Sequence, residues 1–506
     1  MEYLWSDMHS NPHHDVMKNF DKWVKQAEET CDFWPVAYYP HGMRRNEGGA
    51  PLEDLLPENQ RKEDWEILRK YTEEENKKGF PMFMGYEWQG SGEDGDHNVF
   101  FLNNCENMHH PLRYLELKKE LEGVEAIAIP HHLAYQLGSR GKNWNTHDEH
   151  FSPFAEIYSS HGCSENDLNG MDMKRHLHMG PRTGTTCYER GLDMGYKVGC
   201  IASGDNHIAP AVYDHGMICV ISKSKSKHDI WEAMSERHVY GVSRTHMTVD
   251  FQIDHQQMGS IVSPGHQEME FNIEAGDAID RVEIVKNNIV WKMIPHSGTW
   301  ETLPLPKLIR VKFSVEFGWG PNPRFYPDQP PKVWAGTLKT NGKIISIEKQ
   351  WNNFGQCLKV NNDQECAFQL TTSLLTATGH WMGPSPVETE GFIFEIEGDQ
   401  DSQVILNVNG KTYTFTLKEL LSPSRIFAEY EESRQLALRY FNDIHHYRDD
   451  LIWQNAYKVR VRQGVVSNGY QMNYKTSVTC EQKDQIRLRV YLRNGDVGWT
   501  SPIFVK

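Results

Sequence analysis

The sequence predicts an α/β domain over residues 1–247 followed by an all-β domain over residues 248–506. Three observations predict it. Helix-like and strand-like segments alternate in the first half, two-residue alternation takes over after about Val249, and 19 of the 25 histidines precede residue 250. A chain of 506 residues also exceeds what one hydrophobic core usually fills.

The first half reads as βα units. Residues 20–29 (FDKWVKQAEE) and 63–78 combine helix-favouring polar residues with spaced apolar ones, so both predict helices. Short apolar runs at 33–39, 80–86, 126–130, 155–158 and 198–203 predict buried strands between them. Residues 229–237 (DIWEAMSER) predict the last helix of this half. Beyond it, residues 281–286, 404–417 and 486–492 alternate with the period of half-buried strands. The pairs Asn341-Gly342, Asn409-Gly410, Asn468-Gly469 and Asn494-Gly495 favour the left-handed turns of hairpins, which predicts an antiparallel sandwich or barrel. One segment, 424–444, has a helical pattern.

Composition narrows the function. The formal net charge is −16, from 69 acidic and 53 basic residues, which disfavours binding to nucleic-acid backbones. Nine scattered cysteines include no CxxC pair, so zinc-finger and thioredoxin readings fail and a reducing compartment is expected. No apolar run is long enough to span a membrane, and the opening MEYLWSDMHSNPHHD lacks the pattern of a signal peptide. A cytoplasmic enzyme with a small-molecule substrate is the expectation, with oligomeric state left open.

Histidines and acids stand where the apolar runs end. Asp7-Met8-His9-Ser10-Asn11 opens the chain, and His41 follows the 33–39 run after one proline. Glu87 directly follows FPMFMGY, with His97 ten residues on. His131 and His132 follow AIAIP, His161 follows AEIYSS, and Asp205-Asn206-His207 follows VGCIASG. In βα barrels those strand ends share one face, where catalytic groups collect. Neutral imidazole and carboxylate are the ligands of zinc, manganese or iron, and such cations acidify bound water. Asp7 is expected to orient its loop, and His132 to hold a neighbouring ligand.

In order and content, DMHSN, GYEW, IPHH, EIYSSHG and SGDNH resemble the metal-binding stations of the PHP (polymerase and histidinol phosphatase) superfamily. IPHHLAYQLGSRGKNW, FAEIYSSHGCSE and the closing VGWTSPIFV are similar to a bacterial branch that joins a PHP-like domain to a C-terminal β domain. The resemblance implies a distorted (β/α)7 barrel, a divalent-metal centre and phosphoester hydrolysis. It implies His9, Asn11, Glu87, His131, His161, Asp205 and His207 as metal ligands, with Glu87, Asp205 and His207 also catalytic. Two departures stand out. Asn11 occupies the place of the second histidine of D-x-H-x-H, and Tyr38 and Tyr39 replace a polar pair, so that His41 supplies a shifted ligand. Two divalent ions (Mn, Zn or Fe) are the resulting expectation.

The expected reaction is attack by metal-bound hydroxide on a phosphoester or related small anionic ester. Arg140 and Lys142, in the loop after His131, would hold the anion, with His97 and His132 also at the substrate. Arg44-Arg45 offers a weaker basic pair. His13, His14 and Asp15 lie close to the first motif, while His109-His110, His176 and His178 read as surface or packing residues. Trp334, Trp351 and Trp381 read as core sooner than as sugar platforms. No GxSxG elbow or Ser-His-Asp order appears, which argues against a protein nucleophile. A lyase or hydrolase of a carbohydrate or other small molecule on the same scaffold is the alternative, and a non-catalytic binding module the further one.

Overall fold

The computed structural model describes residues 1–45, 51–167, 182–296, 305–323, 325–372, 389–441 and 450–506. The side chains of Arg44 and Arg45, and the residues His176, His178 and Trp381, lie outside that description.

The chain divides into two compact units. The first comprises Met1–Glu274, Ile279–Pro295 and Met472–Lys506, and the second Ala275–Ala278 and His296–Gln471. The expected boundary at 247/248 is therefore displaced, because the chain returns to the first unit at its end. Val497–Thr500 pairs antiparallel with Val239–Val242, and Gln485–Leu492 pairs with Ile279–Lys286 in the same sheet. Sequence periodicity marks such strands as β but carries no record of their distant partners.

Three sheets of the first unit converge on one apolar cluster. Glu2–Ser6 pairs antiparallel with Met217–Ser222 and leads into the nine-stranded sheet. Trp34–Pro35, Met82–Trp88, His97–Phe101 and Ala126–Pro130 form a second sheet, and Phe154–Ser159, Gly199–Ala202 and Gly162–Cys163 a third. Leu4, Phe83, Phe100, Ile129, Phe154, Ile201 and Val220 meet in this core with Trp231 and Met234 of the helix Lys227–Ser235.

The hydrogen bonding among the described residues differs from a ring of seven parallel strands. The parallel strand pairs among the described residues are Trp34–Pro35 with Met82–Trp88, Phe154–Ser159 with Gly199–Ala202, and Ile261–Val262 with Ile503–Val505. His97–Phe101 runs antiparallel to Met82–Trp88 because only the eight residues 89–96 join them, too few for a parallel crossover. Gly90, Gly92 and Gly95 take positive φ in that link. The 33–39 run yields just two residues of ladder, Trp34–Pro35, since prolines 35 and 40 donate no N–H. Its remainder follows the Met82–Trp88 edge through Tyr38 N–H to Gly85 O at 3.1 Å and Glu87 N–H to Tyr38 O at 2.9 Å.

The expected helices form at Phe20–Thr30, Glu58–Lys78 and Lys227–Ser235. No described helix is long and apolar enough to cross a membrane. All nine cysteines are free thiols.

In the second unit, a six-stranded and a five-stranded sheet, both antiparallel, turn apolar faces into one cluster. Trp334 and Trp351 belong to it and are buried, as expected of core tryptophans. Asn409-Gly410 makes a two-residue hairpin with φ of 47° and 81°. Asn468-Gly469 instead lies in the short helix Ser467–Tyr470. The 424–444 segment contains the helix Tyr430–Tyr440, preceded by a strand, Arg425–Ala428.

Candidate metal centre

Asp7 ties the first motif to the last. Buried at the end of Glu2–Ser6, it accepts backbone N–H groups from His9 at 2.9 Å, Gly204 at 2.8 Å and Ala211 at 3.0 Å. Asn206 N–H donates to His9 O at 3.2 Å, and Asn11 N–H to Asn206 O at 2.8 Å. The two loops thus run side by side, with Asp205 held at φ 46°. A left-handed aspartate is uncommon, and such strain collects where a side chain must be aimed.

The result is a ring of buried imidazoles and carboxylates. His9 Nε2 lies 3.4 Å from Glu87 Oε2 and 3.5 Å from Asp205 Oδ1, while Nδ1 of the same ring is 2.8 Å from Glu156 Oε2. His131 Nε2 stands 3.8 Å from Glu87 Oε1, and its ring centre is 4.1 Å from that of His9. His161 Nε2 is 3.1 Å from Asp205 Oδ2, and its Nδ1 is 2.7 Å from the Tyr135 hydroxyl. Three buried groups bring potential ligand atoms within 4.8 Å of one another: His9–Glu87–His131, His9–Glu156–Asp205 and Asp96–His131–His132.

Glu87 is fixed from both sides. Asn11 Nδ2 donates to Oε2 at 2.8 Å and to Ala37 O at 3.1 Å. Gln89 Nε2 donates to Oε1 at 3.0 Å and to the Tyr39 hydroxyl at 3.0 Å. Asn11 therefore reaches the centre by gripping Glu87 through its amide nitrogen, while its Oδ1 makes no hydrogen bond.

Electrostatics sort these groups. Burial pushes Glu87 up, but hydrogen bonds from His9 and Gln89 and the charge on His9 hold it well below the usual carboxylate range. Burial raises Asp205 well above that range, against the pull of His9, with Glu156, Glu87 and Asp96 adding to the rise. Burial would lower His9, yet Asp205 and Glu156 carry it well above the usual imidazole value. Burial holds His131 and His132 well below it, so both are neutral at neutral pH. Three acids crowd His9, and a divalent cation relieves that crowding while displacing a proton. Neutral imidazole with carboxylate oxygen also suits Mn, Zn or Fe, so the residues present fit the expected group.

The other expected residues have other neighbours. His207 Nδ1 lies 2.7 Å from His13 Nε2, and the Tyr39 ring packs on both. His41 also packs against Tyr39, 5.2 Å between ring centres. His97 and Lys142 are brought to each other: Lys142 Nζ is 3.0 Å from His97 Nε2, both side chains are buried, and the ammonium lies over the Tyr114 ring. Arg140 NH1 pairs with Asp96 Oδ2 at 2.7 Å, and NH2 reaches Gln89 Oε1 at 3.3 Å. His132 Nε2 faces the same Asp96 oxygen at 3.5 Å.

Glu156, Asp96, Gln89, Tyr135 and Arg182 escape sequence reading. Glu156 had a legible signal, since a carboxylate inside the otherwise apolar strand Phe154–Ser159 requires a buried partner. Asp96 sits in the acidic loop SGEDGDHN, where nothing separates it from solvated neighbours.

No family model matches the chain. It is similar to an uncharacterized protein of Chlamydia trachomatis serovar D, 27% identical over 204 residues, or 37% of this chain. That match spans 32% of the relative's own length. A two-domain Bacteroides vulgatus protein, described as containing a predicted PHP-like metal-dependent phosphoesterase, aligns with 82% of this chain and 96% of its own. The identity there is 12% and the TM-score 0.32.

Proposed function

We propose that this cluster holds two divalent cations and hydrolyses a phosphoester or related small anionic ester. One observation carries the reading. His131 is 1% exposed, neither ring nitrogen makes a hydrogen bond, and Glu87 and His9 flank it. A buried imidazole that makes no hydrogen bond, with the Glu87 carboxylate 3.8 Å away, costs stability unless it ligates something.

His9, Glu87, His131 and Asp205 would hold the ions, with His161 beside Asp205. A bound divalent cation supplies Lewis acidity toward the phosphoryl group and a water acidified toward neutral pH. Glu156 fixes the His9 ring by accepting its Nδ1–H, which leaves Nε2 as the donor atom. Asn11 and Gln89 keep the Glu87 carboxylate oriented. His161, steadied at Nδ1 by Tyr135, can hold or pass a proton at Nε2, where Asp205 stands. The choice of a phosphoester rests on the motif order, and a net charge of −16 makes a small substrate the better fit than a nucleic-acid backbone.

The test is elemental analysis of protein purified without added metal or chelator, followed by a phosphoester panel with the metal found. About two equivalents per chain and a chelator-sensitive activity are expected. Protein that stays metal-free after incubation with Mn, Zn and Fe would sink the reading.

A further inference from the structure

Anion recognition can be located more narrowly, on the premise that the metal-hydrolase reading holds. We propose that Arg182 grips the anionic group of the substrate, a phosphoryl or comparable oxyanion, beside the His161–Asp205 end of the centre.

Backbone pairing puts Arg182 there. It bridges Tyr135 in antiparallel fashion, Thr183 N–H donates to Ala134 O at 2.8 Å, and Thr186 Oγ1 donates to Tyr135 O at 2.6 Å. The segment is thus pinned to the loop that begins with His131 and His132. The guanidinium carbon lies 4.3 Å from the Tyr135 ring centre, and the hydroxyl of that ring is 2.7 Å from His161 Nδ1. One aromatic ring therefore separates the cation from the His161–Asp205 pair.

Its donors are unevenly used. NH2 donates to Ser164 Oγ at 2.9 Å and Cys163 O at 3.4 Å, whereas Nε and NH1 are shielded from solvent and make no hydrogen bond. Beyond Tyr135, which lies against the guanidinium, Nε and NH1 meet no acceptor among the described residues, an arrangement that burial makes costly unless an anion completes it. Arg140 is placed differently, since Asp96 already neutralises its guanidinium at 2.7 Å. A guanidinium stacked on one face and unmatched along an edge is suited to phosphoryl oxygens.

The experiment titrates zinc-loaded protein with inorganic phosphate by calorimetry, comparing wild type, Arg182→Gln and Arg182→Lys, with metal content measured on every sample. The expectation is roughly tenfold to a hundredfold weaker phosphate binding in R182Q at unchanged metal content, with R182K in between. The 15N resonance of Arg182 Nε in the wild type, identified by its loss in R182K, should shift on adding phosphate. That shift decides the matter even if R182Q does not fold. Equal binding in R182Q, no phosphate response in metal-bearing wild type, or an unmoved Nε resonance overturns the assignment and leaves the metal centre standing. Samples that take up no zinc or other divalent metal overturn both.

Discussion

Glu156 accepts a hydrogen bond from His9 Nδ1 at 2.8 Å, and both side chains are buried. The contact fixes which nitrogen of His9 carries the proton. It leaves Nε2 turned toward Glu87 and Asp205, the geometry by which an outer carboxylate orients a metal-ligating histidine. Glu156→Ala should therefore weaken metal affinity by about tenfold to a hundredfold. Competition against a chelator of known affinity measures this, with circular dichroism confirming the fold. Wild-type affinity in the variant would mean that His9 needs no such support.

Metal removal should lower stability. A ligand that binds only the folded chain adds about 2.7 kcal/mol at a hundredfold excess over its Kd. Scanning calorimetry before and after chelation should show a lower Tm that returns on adding metal back. Re-addition in weak buffer should also release protons, because Glu156 and Asp205 raise His9 well above the usual imidazole value in the absence of a cation. In Glu87→Ala, both the Tm response and the proton release should shrink. A chelated wild type with an unchanged Tm would contradict this.

The terminal strands should prove essential to the first unit. Glu165 is fully buried between Arg487 NH2 at 2.8 Å and Arg489 Nε at 2.7 Å, and it accepts Trp499 Nε1–H at 3.0 Å. Removing Glu165 leaves both buried guanidinium groups sharing the Glu189 carboxylate, at 2.6 Å from Arg487 and 2.8 Å from Arg489, so the positive charge there is under-compensated. Glu165→Ala should cost on the order of 3–5 kcal/mol in urea denaturation. A chain ending at residue 247 should fail to fold cooperatively, and a sharp two-state transition in it would refute the role given to the returning strands.

Lys142 sets a pH dependence. Burial lowers its ammonium to about 7, with Asp94 alone pulling it back. In the unfolded chain the amine titrates near about 10.4. Between those values the unfolded chain binds more protons, so this contribution to stability rises with pH. It is fully present above the unfolded value and lost as the pH falls through about 7. Relative to Lys142→Met, wild type should gain on the order of 3 kcal/mol from pH 7 to pH 9.5. A difference that does not vary with pH would show that the ammonium reaches solvent.

Much of the centre was legible because its residues stand where apolar runs stop. The structure brings His9, Glu87, His131, His161 and Asp205 together, with successive contacts of 3.1 to 3.8 Å. The periodic segments were legible for the same local reason, from the helix Phe20–Thr30 to the strand Gln485–Leu492. Asn287 and Asn288, with φ of 53° and 62°, close a tight hairpin that no Asn-Gly pair announced. Asparagine tolerates the left-handed region well enough to stand in for glycine.

By itself the sequence determined the kinds of segment, the residues at their ends and the ligand chemistry those residues offer, since all three follow from local pattern and side-chain type. Tertiary structure alone decided which strands pair, that the last residues return to the first unit, that Glu156 stands behind His9, and that Lys142 faces His97 while Arg182 lies over Tyr135. These are contacts between residues tens to hundreds of positions apart. What selects them is the joint burial of apolar faces and the pairing of the polar groups enclosed with them, which no local window of sequence contains.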